Sequence, residues 1–132
     1  MNSQIINELI DIASKIIENS YSPYSGIRVA AVVKTKKGNT YPGVNIENSS
    51  YGLTICAERV AVFNAITHGD REIEWVIIVT DLENPIPPCG ACRQVIAEFN
   101  PDAKIIMYSM KSKKMKISTL RELLPMSFKL TK

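Results

Sequence analysis

Trp75-Val76-Ile77-Ile78-Val79 is an unbroken apolar run in the middle of the chain. A run of this length is far too short to cross a membrane. Its β-branched residues mark it instead as a strand covered on both faces. A chain with such a strand must supply a layer on each side of it. The flanking pattern provides candidates. Ile5, Ile6, Leu9, Ile12, Ala13, Ile16 and Ile17 recur at helical spacing, which predicts an amphipathic helix over roughly residues 3–19 with Ser3 as its cap. Ile27 to Thr35 is apolar and β-branched, Lys36-Lys37-Gly38-Asn39 is a hairpin turn, and Thr40 to Ile46 is the returning strand. A second helix starts at Cys56 and ends near Gly69. A third runs from Cys89 to Phe99, where Asn100-Pro101 stops it. Ala103 to Met110 is a further strand. Lys111 to Lys116 is a lysine-rich loop, and Ser118 or Thr119 caps a last short helix ending at Pro125.

This order of elements, α-β-β-α-β-α-β-(β)-α with an optional strand before the last helix, predicts an α/β fold. It is a three-layer α/β/α sandwich around one mixed, roughly five-stranded sheet. The chain has 132 residues, 45% of them hydrophobic and 22% charged, which fits one domain spanning residues 1–132. The net charge of +3 is too small to argue for nucleic acid. The first residues, Met1-Asn2-Ser3-Gln4, followed by apolar positions broken by Glu8 and Asp11, lack the basic and unbroken apolar regions of a signal peptide. No apolar stretch is long enough for a membrane span, so a cytoplasmic location with reduced thiols is expected.

The chain holds three Cys and one His. An odd number of cysteines argues against a disulfide framework, and a single His excludes sites that need two. Both cysteine clusters fall where a loop enters a helix. Cys56 opens the second helix, and Cys89-Gly90-Ala91-Cys92 opens the third. Residues i and i+3 share a helix face, so Cys89 and Cys92 can grip one ion. Helix N-termini favour the thiolate, the form that binds metal. Three thiolates fill three of zinc's four positions. The lone His68 sits at the far end of the second helix, so a zinc held here is left open to water. Glu58 lies in the first turn of that helix. On its own it could simply favour the helix dipole. Beside an open zinc it is the general base that hydrolysis needs.

Cys56-Ala57-Glu58 together with Pro88-Cys89-Gly90-Ala91-Cys92 resembles the signature of the zinc-dependent nucleobase deaminases. Tyr21-Ser22-Pro23-Tyr24-Ser25, Asn45-Ile46-Glu47-Asn48, Tyr51-Gly52, Arg93-Gln94-Val95 and Glu122-Leu123-Leu124-Pro125 extend the resemblance from about Tyr21 to Phe128. They make the chain similar to the small, homotetrameric cytidine deaminases. The resemblance implies one Zn²⁺ per chain on Cys56, Cys89 and Cys92, with Glu58 as the proton shuttle. It implies deamination of cytidine and deoxycytidine in pyrimidine salvage. Asn45 and Glu47 would hold the ribose hydroxyls, and the backbone N–H of Ala57 would donate to the base carbonyl. Phe128 would stack on the base in a neighbouring subunit's site, so each site of a homotetramer would be completed by its neighbours. Arg59 and Arg93 would moderate the charge of the sulfurs. Three thiolates on Zn²⁺ leave a net −1, which a nearby cation counters. The chain departs from the family pattern at Ile27, where relatives usually have Phe, and at Ala30, where they usually have Gly. Ile27 can still form an apolar wall of the substrate site, but it cannot stack.

Other functions account for less of the sequence. A thiol–disulfide redox protein would explain Cys89-Gly90-Ala91-Cys92 but leave Cys56-Ala57-Glu58 without a purpose. Lys111, Lys113, Lys114 and Lys116 form a basic cluster, but no aromatics are interleaved with them, so no nucleic-acid platform is expected. A deaminase of a modified or antibiotic pyrimidine would share the zinc motif. Such relatives tend to lack Asn-x-Glu, which this chain has at Asn45 and Glu47. His68, beside Gly69 at a helix C-terminus, suits the helix dipole and is given no catalytic role.

Overall fold

Residues 2–130 are described by the computed structural model, so the ends of the expected 1–132 span lie outside the described residues. The elements are α1 (Ser3–Ile16), β1 (Val29–Thr35), β2 (Thr40–Val44), α2 (Ala57–Thr67), β3 (Ile73–Thr80), α3 (Gly90–Phe99), β4 (Lys104–Ser109), β5 (Met115–Thr119) and α4 (Leu120–Leu123). The five strands form one sheet in the order β2-β1-β3-β4-β5. Only β3 and β4 run parallel; the other neighbours are antiparallel.

The apolar run at residues 75–79 lies within β3, the central strand. Its alternate residues serve two separate cores, as a doubly covered strand requires. Val76 and Ile78 pack with Ala61, Val62 and Ala65 of α2, Ile96 of α3 and Leu120 of α4. Ile77 and Val79 face Ile6, Leu9, Ile10 and Ala13 of α1 on the other side. The expected three-layer sandwich is therefore present, with one helix on one face and three on the other. Among the described residues no helix is long and apolar enough to cross a membrane.

Three local expectations are corrected. The α1 cap is Asn2 rather than Ser3, because the Asn2 side chain accepts from the N–H of Ile5 at 2.9 Å. Strand β1 begins at Val29 rather than Ile27, because the backbone ahead of it is bonded to a side chain: Asn45 Nδ2 donates to the Ile27 carbonyl at 2.9 Å. The lysine-rich loop is shorter than expected. Met115 to Thr119 pairs with β4, so Lys116 lies within β5. Thr119 then caps α4, accepting from the N–H of Glu122 at 3.2 Å.

Candidate active site

The start of β1, the end of β2 and the end of β3 meet at one end of the sheet. Val29 pairs with Thr80, and Ala30 pairs with both Val44 and Val79. The N-termini of α2 and α3 open onto the same end, and between them lies a cavity of about 270 Å³. Among the residues lining it are Ile27, Asn45, Glu47, Cys56, Ala57, Glu58 and Cys89, which the sequence had singled out from separate segments.

Cys56 and Cys89 are the N-cap residues of α2 and α3, and Cys92 lies one turn into α3. Their sulfurs all fall within 4.8 Å of one another. Cys56 Sγ and Cys89 Sγ are 3.7 Å apart, and Cys89 Sγ and Cys92 Sγ 3.5 Å. Tetrahedral zinc with Zn–S bonds of 2.3 Å separates its sulfurs by about 3.8 Å, close to the two shorter separations here, so the three thiols suit that ion. All three cysteines are free. The Cys56 thiol is pulled down to about 5, first by its hydrogen bond with Cys92 and then by the Arg59 guanidinium. The Cys92 thiol is pushed up by the same hydrogen bond and by burial. The lowered Cys56 thiol favours the thiolate, the form that binds metal.

Glu58, in the first turn of α2, is almost fully buried, at 4% exposure. Burial pushes its carboxyl up to about 7, and the neighbouring Cys56 thiolate adds to the rise. A carboxyl in this range can take and return a proton near neutrality. Ala57 is the first residue of α2, where backbone N–H groups have no partner within the helix.

Another part of the cavity lining is polar and more fully bonded. Asn45 Oδ1 accepts from the N–H of Val29 at 3.0 Å and from the hydroxyl of Ser20. Glu47 Oε1 accepts from the N–H groups of Tyr24, at 2.9 Å, and Ser25, at 3.1 Å. Glu47 Oε2 accepts from the Ser25 hydroxyl at 2.5 Å. The Ser25 hydroxyl holds the Glu47 carboxyl below the usual carboxylate range, and the two N–H groups assist.

The two arginines go different ways. Arg59 Nη2 donates to Cys56 Sγ at 3.5 Å. Arg93 bonds to carbonyls instead. Its Nε donates to Pro88 O at 2.8 Å and its Nη1 to Leu123 O at 2.7 Å, so it braces the loop that carries Cys89. Phe128 is 68% exposed and lies outside the cavity lining; its carbonyl accepts from Gln94 Nε2 at 2.9 Å. Several lining residues were not singled out by the sequence, among them Ser25, Thr54, Ile86 and Pro87. Ser25 sits in the quoted Tyr21-Ser22-Pro23-Tyr24-Ser25 motif, which gave a signal without a role.

The family model for the cytidine and deoxycytidylate deaminase zinc-binding region matches residues 3–109. The chain belongs to this family. All three thiols and Glu58 fall within the matched zinc-binding region. A cytidine deaminase from Halalkalibacterium halodurans is 46% identical over 121 residues, covering 91% of each chain. The crystal structure of a cytidine deaminase from Burkholderia pseudomallei superposes with a TM-score of 0.88 at 37% identity, covering 97% of this chain and all of that one. A blasticidin-S deaminase from Bacillus cereus lies further off, at 29% identity over 92% of this chain and 90% of its own.

Proposed function

We propose that the protein is a zinc-dependent deaminase of free pyrimidine nucleosides. It hydrolyses the C4 amino group of cytidine and deoxycytidine to give uridine or deoxyuridine and ammonia. The observation that carries this reading is the buried Glu58 carboxyl beside three converging thiols in a cavity also lined by Asn45 and Glu47. Cys56, Cys89 and Cys92 would hold the ion. Zinc bound there supplies Lewis acidity that makes a water molecule nucleophilic at neutral pH.

The remaining steps fall to the chain's own residues. Glu58 takes a proton from the attacking water and passes it to N3 of the base as the C4–O bond forms. It then carries the proton of the new C4 hydroxyl to the amino group, which leaves as ammonia as the C4–N bond breaks and the C4 carbonyl forms. The N–H of Ala57 donates to the base carbonyl. Asn45 and Glu47 hold the sugar, and Ile27 forms an apolar wall against the nucleoside. A polynucleotide is disfavoured because it needs its 3′ oxygen to continue the chain, whereas Asn45 and Glu47 would hold the sugar hydroxyls.

The same polar part of the lining favours a plain nucleoside over an antibiotic pyrimidine, since it presents groups suited to a sugar. Assembly into a homotetramer is supported by apolar side chains exposed near the cavity mouth and tail, among them Tyr21, Tyr24, Tyr51, Leu53 and Phe128. Phe128 would then reach a neighbouring subunit's site. A cytoplasmic location is in keeping with the three free thiols, and a part in pyrimidine salvage with the proposed substrate.

The test is a spectrophotometric deamination assay with cytidine, deoxycytidine, cytosine and blasticidin S, run beside metal analysis and with a zinc chelator. Turnover of the two nucleosides, lost on chelation and tracking about one zinc per chain, is the expected result. Turnover of blasticidin S alone would overturn the substrate assignment.

A further inference from the structure

Donor and acceptor arithmetic at the sugar end of the cavity is unusually tight. An amide oxygen has two lone pairs, and both of those on Asn45 Oδ1 are used, by the N–H of Val29 and the hydroxyl of Ser20. One of the two Nδ2 hydrogens goes to the Ile27 carbonyl. Asn45 therefore has one donor left and no acceptor. A carboxylate has about four acceptor positions. On Glu47 three are filled, two on Oε1 by the N–H groups of Tyr24 and Ser25 and one on Oε2 by the Ser25 hydroxyl. Glu47 therefore has one acceptor left. One donor beside one acceptor matches a single hydroxyl, which accepts from Asn45 and donates to Glu47. This narrows the expectation that the pair holds several ribose hydroxyls.

Ser25 decides this count. Its hydroxyl also accepts from the N–H of Ile27 at 3.0 Å, so its own orientation is fixed and its hydrogen points at Glu47. The two backbone N–H groups grip only Oε1. Without the serine hydroxyl the carboxylate keeps a pivot at Oε1 and loses the bond that sets its rotation. Ser25 itself stands on the exposed rim of the cavity, away from both cores.

We propose that Ser25 is a positioning residue for substrate recognition: its hydroxyl fixes the Glu47 carboxylate so that the sugar end selects nucleosides by one hydroxyl. The proposal rests on the reading of Asn45 and Glu47 as the sugar site. It assigns a role to the Tyr21–Ser25 segment, which contributes no group to the chemistry at C4. The Glu47 carboxyl is held low chiefly by this bond, which agrees with a carboxylate kept ionised and ready to accept.

The experiment compares wild type with Ser25→Ala, Ser25→Thr and Glu47→Gln on cytidine, 2′-deoxycytidine and 3′-deoxycytidine. Zinc content and thermal unfolding are checked for each protein. The deoxy analogue that wild type binds worst lacks the recognised hydroxyl. Ser25→Ala is expected to raise KM about tenfold for the two substrates that keep this hydroxyl, with kcat within about twofold. KM for the analogue lacking it should stay as in wild type, and Ser25→Thr should behave like wild type. Ser25→Gly removes the same hydroxyl and repeats the test should the alanine protein not fold. Equal KM increases on all three substrates, or no increase on any, would overturn the role of Ser25. If Glu47→Gln raises KM while Ser25→Ala does not, only the serine proposal fails. If Glu47→Gln leaves every KM unchanged, the sugar-site reading fails with it.

Discussion

Arg59 Nη2 lies 3.5 Å from Cys56 Sγ, so a cation from the first turn of α2 is bonded to the thiol that caps the same helix. The guanidinium is itself held charged by that sulfur and by Cys92. Arg59 also has a buried Nε with no partner, so its position is held by the sulfur contact and packing rather than by a second ion pair. Arg59→Ala removes one of the influences that lower the Cys56 thiol. Protons then compete with the metal to higher pH. Zinc occupancy, followed by dialysis and metal analysis, should half-disappear at a higher pH than in wild type. Removing such a supporting contact costs about 10–100-fold in metal affinity or activity. An unchanged zinc–pH curve would show that Arg59 does not support the thiolates.

Glu58→Gln keeps the shape and burial of the side chain but removes its ability to take a proton. Cys56, Cys89 and Cys92 are placed by the two helix N-termini, whose backbone the substitution leaves as it is. The variant should bind zinc in the wild-type ratio and lose at least ~10²–10⁴-fold in kcat, the usual scale of positioned acid–base catalysis. A variant retaining near-normal turnover would remove Glu58 from the reaction.

The parts of this site that could be read from the sequence are those whose function survives in local spacing. Cys89 and Cys92 are one helical turn apart, and Cys56 stands two residues before Glu58, so the candidate metal site and the candidate base are visible without a fold. The central strand was equally plain, because residues 75–79 are apolar on both faces. Strand β5 was expected only as an optional strand before the last helix, without bounds. Its outer positions are exposed, and Lys116 within it reads as loop, which is how edge strands are commonly protected from pairing with other chains. Ser25, Ile86 and Pro87 had no local pattern to betray them. Their place in the cavity depends on segments some 20 to 60 residues apart meeting at one end of the sheet. Arg93 was misdirected for the same reason. Adjacency to Cys92 suggested the sulfurs, but its side chain turns toward the carbonyls of Pro88 and Leu123.

Away from the cavity, Asp70 ties the β1–β2 hairpin to the end of α2. One carboxylate oxygen accepts from Thr35 Oγ1 at 2.8 Å, Asn39 Nδ2 at 3.0 Å and Tyr41 Oη at 3.0 Å. These bonds, that of Asn39 foremost, hold the carboxyl below its ordinary value. A carboxyl lowered in the folded state adds stability above its unfolded pKa and loses it as the pH falls through the folded one. Asp70→Asn should therefore be less stable than wild type at pH 7, and the gap should close at acid pH below about 4. The amide NH₂ would also have to occupy the place of Oδ1, which is buried without a partner. Urea denaturation at both pH values measures this; a gap independent of pH would mean that the ionised carboxylate contributes nothing.

Gly43 in β2 is the point where α2 rests directly on the sheet backbone. A Cβ there would lie 2.5 Å from Ala61 N and 2.7 Å from Ala57 O. Both are backbone atoms of α2, so neither can step aside as a side-chain tip would. Gly43→Ala must push the helix away from β2, and overpacking of this kind costs about 1–3 kcal/mol. Because α2 carries Glu58 in its first turn, the same displacement moves the carboxyl relative to Cys89 on α3. The variant should therefore lower the urea midpoint and also lose kcat, while Gly38→Ala in the exposed hairpin turn, where φ is +89° and no atom lies within 4 Å, should lose stability from backbone strain with kcat retained. Equal kcat in the two variants would show that the seat of α2 on Gly43 does not govern the placement of Glu58.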